Sequence, residues 1–120
     1  MAEGFLSLQI VGASNRPETT AVGDWLLLIT RMDPNMKQLN TGGWPFMGTF
    51  AHRVAFKHRD APAAETESRQ FAERNLVIGQ SADGAWTDNF EGRHVGRVYC
   101  TSLAVLTLAA KYRHLPLYQL

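Results

Sequence analysis

The sequence predicts an all-α chain assembled from helix-turn-helix units, and three observations carry that expectation. Apolar residues recur at i, i+3 and i+4 spacing through several stretches. Prolines and glycines fall where those stretches begin and end. A short pattern, Gln-x-x-x-Gly-x-Trp, occurs at Gln38, Gly42 and Trp44 and again 42 residues on at Gln80, Gly84 and Trp86. A period of that length suits stacked helical pairs, in which no single unit buries its apolar face alone.

Phe5-Leu6, Leu8, Ile10 and Val11 form a short apolar helix that stops at Gly12, with residues 13–16 as the turn. Pro17 is preset for the first helical position of the next element. From Glu18 to about Arg31 the pairs Ala21-Val22, Trp25-Leu26 and Leu28-Ile29 recur at helical spacing, and Pro34 lies just beyond the expected end. Residues 32–43 are turn-rich.

Trp44-Pro45 opens the third helix, in which Phe46, Phe50 and Val54 lie beside Met47, Ala51 and Ala55 in one stripe, opposite Arg53 and Lys57. Asp60 is an N-cap candidate for the fourth helix, and Pro62 suits its first turn. There Ala64, Ser68, Phe71, Ala72 and Leu76 face one way and Glu65, Glu67, Arg69, Glu73 and Arg74 the other, as in an outer, amphipathic helix. From about Gly96 to Arg113 apolar residues cover nearly every side, which predicts a buried fifth helix, ended by Pro116 and followed by a packing strap, 115–118. The expectation is therefore about five antiparallel helices in one domain, 1–120.

The repeated template resembles the QW motif of terpenoid cyclases. The stretch from Gln80 to Trp86, followed by Val98-Tyr99-Cys100-Thr101-Ser102-Leu103, is similar to the repeat of squalene cyclases and protein prenyltransferase β-subunits. The closing Tyr112-Arg113-His114-Leu115-Pro116-Leu117-Tyr118 is similar to the end of bacterial prenyltransferase/squalene-oxidase-repeat proteins. The match covers most of the chain and is strongest from Leu76 onward. It implies a partial α/α-toroid with alternating inner and outer helices, and a segment belonging to a longer parent chain.

Physically, the motif calls for an amide at a helix end, a glycine that permits a left-handed turn, and an indole that covers the joint between helices. Structural glue is the expected role of Gln38, Gly42, Trp44, Gln80, Gly84 and Trp86. The aromatic residues near inner-helix starts, Trp44, Phe46, Phe50, Phe90 and Tyr99, are the expected lining of an apolar groove.

No complete catalytic motif accompanies the resemblance. The Asp-x-Asp-Asp acid of squalene cyclases has no counterpart among Asp24, Asp33, Asp60, Asp83 and Asp88. The zinc histidine of prenyltransferases aligns with Cys100, but the Asp-x-Cys pair that would complete the ligand set is missing. No metal site and no cofactor are expected, and Cys100 reads as a small buried hydrophobe. His52 and His58 are six apart and share no helical face, so each histidine, with His94 and His114, is expected in solvent or in a helix-ending turn. The oxygen-rich loop from Asp83 to Gly92 lacks the ligand order of a calcium loop, and the glycines do not form a phosphate cradle.

Twelve basic against eleven acidic residues, scattered along the chain, leave no footprint for nucleic acid. No apolar run approaches the ~20 residues of a transmembrane helix. No signal peptide is legible at the start, and a single cysteine slightly favours a reducing, cytoplasmic setting. Two functions stand open. One is a non-catalytic module whose groove binds a partner protein or the rest of a parent toroid. The other is a fragment of a cyclase-like or prenyltransferase-like enzyme that binds an isoprenoid. A lipid-binding domain that completes its ring as a homo-oligomer is a third.

Overall fold

Three prolines set the starts of three helices. In the computed structural model, which describes residues 1–34, 44–59, 61–87 and 91–112, each occupies the first position of its helix. These are α2 (Pro17–Met32), α3 (Pro45–His58) and α4 (Pro62–Gly79). Proline fits there because that position has no intrahelical acceptor for an N–H and because its φ is already helical. Before them comes α1 (Ala2–Ile10), and after them α5 (Glu91–His94), α6 (Gly96–Ala109) and a 3₁₀ turn, Ala110–Tyr112. The described residues form helices joined by turns, with no strand.

Gly12 ends α1 as expected, at φ +81°. The Ala13 N–H reaches the Leu8 carbonyl at 2.9 Å and the Gly12 N–H the Gln9 carbonyl at 3.2 Å, a paired closure that requires the left-handed residue. Thr19 then donates to the Ala13 carbonyl at 2.8 Å, fixing the angle between α1 and α2.

The centre of the fold differs from the expected one. α3 is the central helix, packed against α1, α4 and α6. Its first half joins Leu76, Trp86, Cys100 and Leu103 in one cluster through Phe46, and its second half joins Phe5, Leu26, Leu27 and Phe71 in another through Ala51, Ala55 and Phe56. α6, expected to be buried, lies at the surface, with Val98 82% and Val105 51% exposed. Apolar composition reports what a helix can bury, whereas the neighbours decide what it does bury. α3 also buries its expected polar side, since Arg53 is only 1% exposed. Its guanidinium holds Glu65 of α4 at 2.7 Å, and Lys57 lies 3.5 Å from the same oxygen. A buried cation is tolerable only when paired in this way.

One helix more than expected is present among the described residues: α5 lies where a loop was expected. Trp44 and Ala61 flank α3 and α4 as cap residues without a side-chain cap bond. Asp60, the expected cap, lies outside the described residues, as do residues 113–120 with His114 and the strap.

Candidate functional site

The joint between α4 and α6 is built from the second copy of the repeated pattern. Gln80 follows the last turn of α4, and its Nε2 donates to the Gly84 carbonyl at 2.7 Å, closing a tight loop over Gly84 at φ +86°. A side chain at that φ would be strained, so the turn requires glycine. Asp83 accepts the Ala85 N–H at 3.2 Å and pairs with Arg97 of α6. The hydrogen bond from Arg97, then that from Ala85, holds its carboxyl below the usual range. Those contacts engage the oxygens of Asp83 in the turn itself; Asp88 and Asn89 lie outside the described residues.

Trp86 then enters the core. Its indole N–H donates to the Leu76 carbonyl in the last turn of α4 at 2.8 Å, while its backbone N–H and carbonyl both bond the Thr101 hydroxyl of α6, at 3.1 and 3.2 Å. One residue thus fastens α4 to α6 through both its ring and its backbone. Gln38 and Gly42, the first copy of the pattern, lie outside the described residues, and Trp44 is half-exposed with its ring 6.3 Å from that of His94.

The described members of the expected groove aromatics do not form one open wall. Phe46 is buried in the cluster around Trp86, with Phe50 and Tyr99 packed on its edge. Burial, then the nearby Glu91 charge, pushes the Tyr99 phenol above its ordinary pKa. Phe90 lies outside the described residues. Two open apolar grooves lie elsewhere. A groove of about 530 Å³ runs between α4 and α6, lined by Val77, Val105, Leu108, Ala109 and Tyr112, with Glu73 and Lys111 at 3.5 Å across it. A second, of about 460 Å³, lies along α1 between Met1, Leu8, Val11 and Val22.

Two polar features were not legible in the sequence. Glu91 is fully buried, and its carboxylate accepts the N–H groups of Phe46 (2.6 Å) and Met47 (3.2 Å) at the start of α3. Pro45 has no N–H, and Gly48 bonds the Trp44 carbonyl at 2.8 Å, so these two donors are the ones the helix start needs satisfied. The negative charge also sits favourably at the positive end of the helix dipole. A missing local cap at Trp44 was the only sequence signal.

His52 is the second. It was expected in solvent but is fully buried on α3, its ring 4.7 Å from that of Phe56 and 6.1 Å from that of Phe71. Its Nδ1 shares a 3.0 Å hydrogen bond with Ser68 of α4. Burial, reinforced by the adjacent Arg53 charge, lowers its pKa to about 3, so the ring is neutral. Ser68 is equally buried, which denies this pair access to substrate and makes it a packing contact. His58 and His94 lie at helix ends.

Among the described residues no group of three His, Cys, Asp or Glu could hold a metal ion, and no helix is long and apolar enough to cross a membrane. No family model, curated protein or solved structure matches the chain.

Proposed function

We propose that the chain is a non-catalytic helical-repeat module, a partial α/α-toroid of the squalene-cyclase and prenyltransferase type, whose exposed apolar faces pack against further helices of a partner protein or a parent toroid. The observation that carries this reading is the α4–α6 joint. Gln80 closes the Gly84 turn, and Trp86 fastens the two helices through Leu76 and Thr101. A joint of this kind makes a repeat unit rigid while leaving its flanks free to stack. The groove on α4 and α6 supplies such a flank, with Val77 and Val105 exposed. The same groove motivates the second reading, an isoprenoid site within an enzyme fragment, since it is lined mainly by apolar residues with the Glu73–Lys111 pair among them.

The two readings separate in one experiment. The purified chain is titrated with a C15 to C30 isoprenoid while melting temperature and any chemical conversion of the lipid are followed. The module reading expects no conversion and no saturable shift. A saturable rise in melting temperature that Val105→Asp removes would favour the isoprenoid site, and conversion of the lipid would overturn the non-catalytic reading.

A further inference from the structure

α2 is apolar on two opposite sides. Its core side buries Gly23, Leu26, Leu27 and Thr30 against α1 and α4. On the other side Ala21, Trp25, Leu28 and Met32 form a narrow exposed stripe, with Trp25 43%, Leu28 48% and Met32 76% exposed. Their spacing of four, three and four residues keeps a seam aligned along one edge of a helix and lets it interlock with another. A surface helix needs only one apolar side to hold its place, and the second is left exposed among the described residues.

We infer that this stripe is the contact through which two copies of the chain pair, α2 against α2, in antiparallel orientation about a two-fold axis. The charges beside the seam select both the partner and the direction. Asp24 lies before its midpoint and Arg31 after it, and both are largely exposed. The antiparallel register that sets Trp25 against Leu28 of the second copy also brings Asp24 within a turn of Arg31 of that copy, twice by symmetry. Parallel pairing would put the Asp24 and Arg31 of one copy on the opposite side of the seam from those of the other, so the charges would not meet. Asp24 uses one carboxylate oxygen for Arg59, at 2.9 Å, and Arg31 uses Nε and Nη2 for Glu67, at 2.6 and 2.8 Å. Each keeps a further oxygen or nitrogen for the intermolecular pair. A two-fold contact is self-complementary and closes without forming filaments. In this register α2 overlaps its copy from residue 21 to residue 32, a contact about 18 Å long and at the low end of stable interfaces, so pairing is weak and depends on concentration.

Sedimentation equilibrium from about 1 μM to about 1 mM tests this. The mass should rise from 13.4 kDa towards twice that value across the range. Trp25→Glu, at an exposed position, should hold the chain monomeric throughout. Asp24→Arg and Arg31→Asp should each weaken pairing about tenfold or more, through like-charge contact, and the double variant should restore it. Melting temperatures of dilute monomer, recorded for each variant, separate this effect from the loss of the Arg59 and Glu67 contacts. A chain that stays monomeric to the highest concentration, or a dimer indifferent to Trp25→Glu, overturns the proposal, and failure of the double variant to recover overturns the antiparallel arrangement. The pairing does not depend on the repeat-module reading. The isoprenoid titration repeated on the Trp25→Glu variant keeps the two outcomes apart.

Discussion

Acidification should weaken this fold through His52, by an amount the structure fixes. In the unfolded chain the imidazole takes up a proton near pH 6.5. In the native state it is sealed between Phe56 and Phe71 beside the Arg53 cation and resists protonation down to about pH 3. Between those values the unfolded state binds the extra proton, so stability is complete above about pH 6.5 and falls by about 1.4 kcal/mol per unit as pH drops. From pH 7 to pH 5 the loss is about 2 kcal/mol, continuing towards pH 3. Urea unfolding at pH 7, 6 and 5, on the natural chain and on His52→Gln, isolates this contribution, because titrations common to both cancel in the difference. The variant should be less stable at pH 7 and lose about 2 kcal/mol less than the natural chain on going to pH 5. Parallel stability curves would refute the reasoning. If the variant fails to fold, the carbon and nitrogen shifts of the His52 ring in the natural chain serve instead, and a ring protonated at pH 5.5 in the native state would be equally fatal.

Other perturbations follow from the same geometry. Glu91→Ala should cost about 2–4 kcal/mol, since it strips two charge-assisted bonds from the start of α3 and leaves buried donors unmatched; urea unfolding reads it, and a cost below 1 kcal/mol would show that water replaces the carboxylate. Glu65→Ala should cost about 2–4 kcal/mol by stranding the buried Arg53 charge, reduced somewhat by the partial exposure of Glu65, and Arg53→Met combined with Glu65→Leu should cost less than the single change. Burial works to raise the Glu65 carboxyl, but the Arg53 hydrogen bond and charge, with Lys57, outweigh it and lower the pKa; its contribution is present above about pH 4.5 and disappears below that as the folded carboxyl protonates, and a double-mutant cycle against Arg53 at several pH values measures it. Trp86→Phe should cost about 1–2 kcal/mol or somewhat more, by removing the bond to Leu76 and part of the ring volume while keeping an aromatic side chain, and Trp86→Ala about 3–5 kcal/mol; thermal unfolding distinguishes the two. Gly23→Ala should destabilise by about 1–2 kcal/mol despite its better helix propensity, because the new methyl would sit 2.9 Å from the Phe5 ring.

The helices themselves were legible because their boundaries are written locally. Pro17, Pro45 and Pro62 mark starts, and Gly12 marks an end, through constraints that act within a few residues. The apolar sides of α2 and α4 followed from periodicity for the same reason. What the sequence did not disclose was which helix lies at the centre. α6 carries more apolar residues than α3 along its visible sides, yet α3 is enclosed, because Glu65 and Ser68 of α4 supply partners that make Arg53 and His52 tolerable inside. Such partners come from another helix, and no local window contains them. The cap on α3 is the extreme case, since Glu91 lies 45 residues from Phe46. Within the site, the turn around Gly84 was readable from spacing, whereas the open grooves were not. They depend on how α4 and α6 are set side by side, and Phe46, chosen as a groove residue for its position after Trp44, faces the core instead.

The same cap bears on the order in which the molecule is made. A ribosome releases α3 well before Glu91, and at roughly 5–20 residues per second the intervening stretch takes roughly 2–9 s to synthesise. Throughout that interval the helix on which α1, α4 and α6 converge has its first amides directed at water. Completion of this central helix is thereby tied to a carboxylate made 45 residues later, so its first amides gain their acceptor only when that residue arrives.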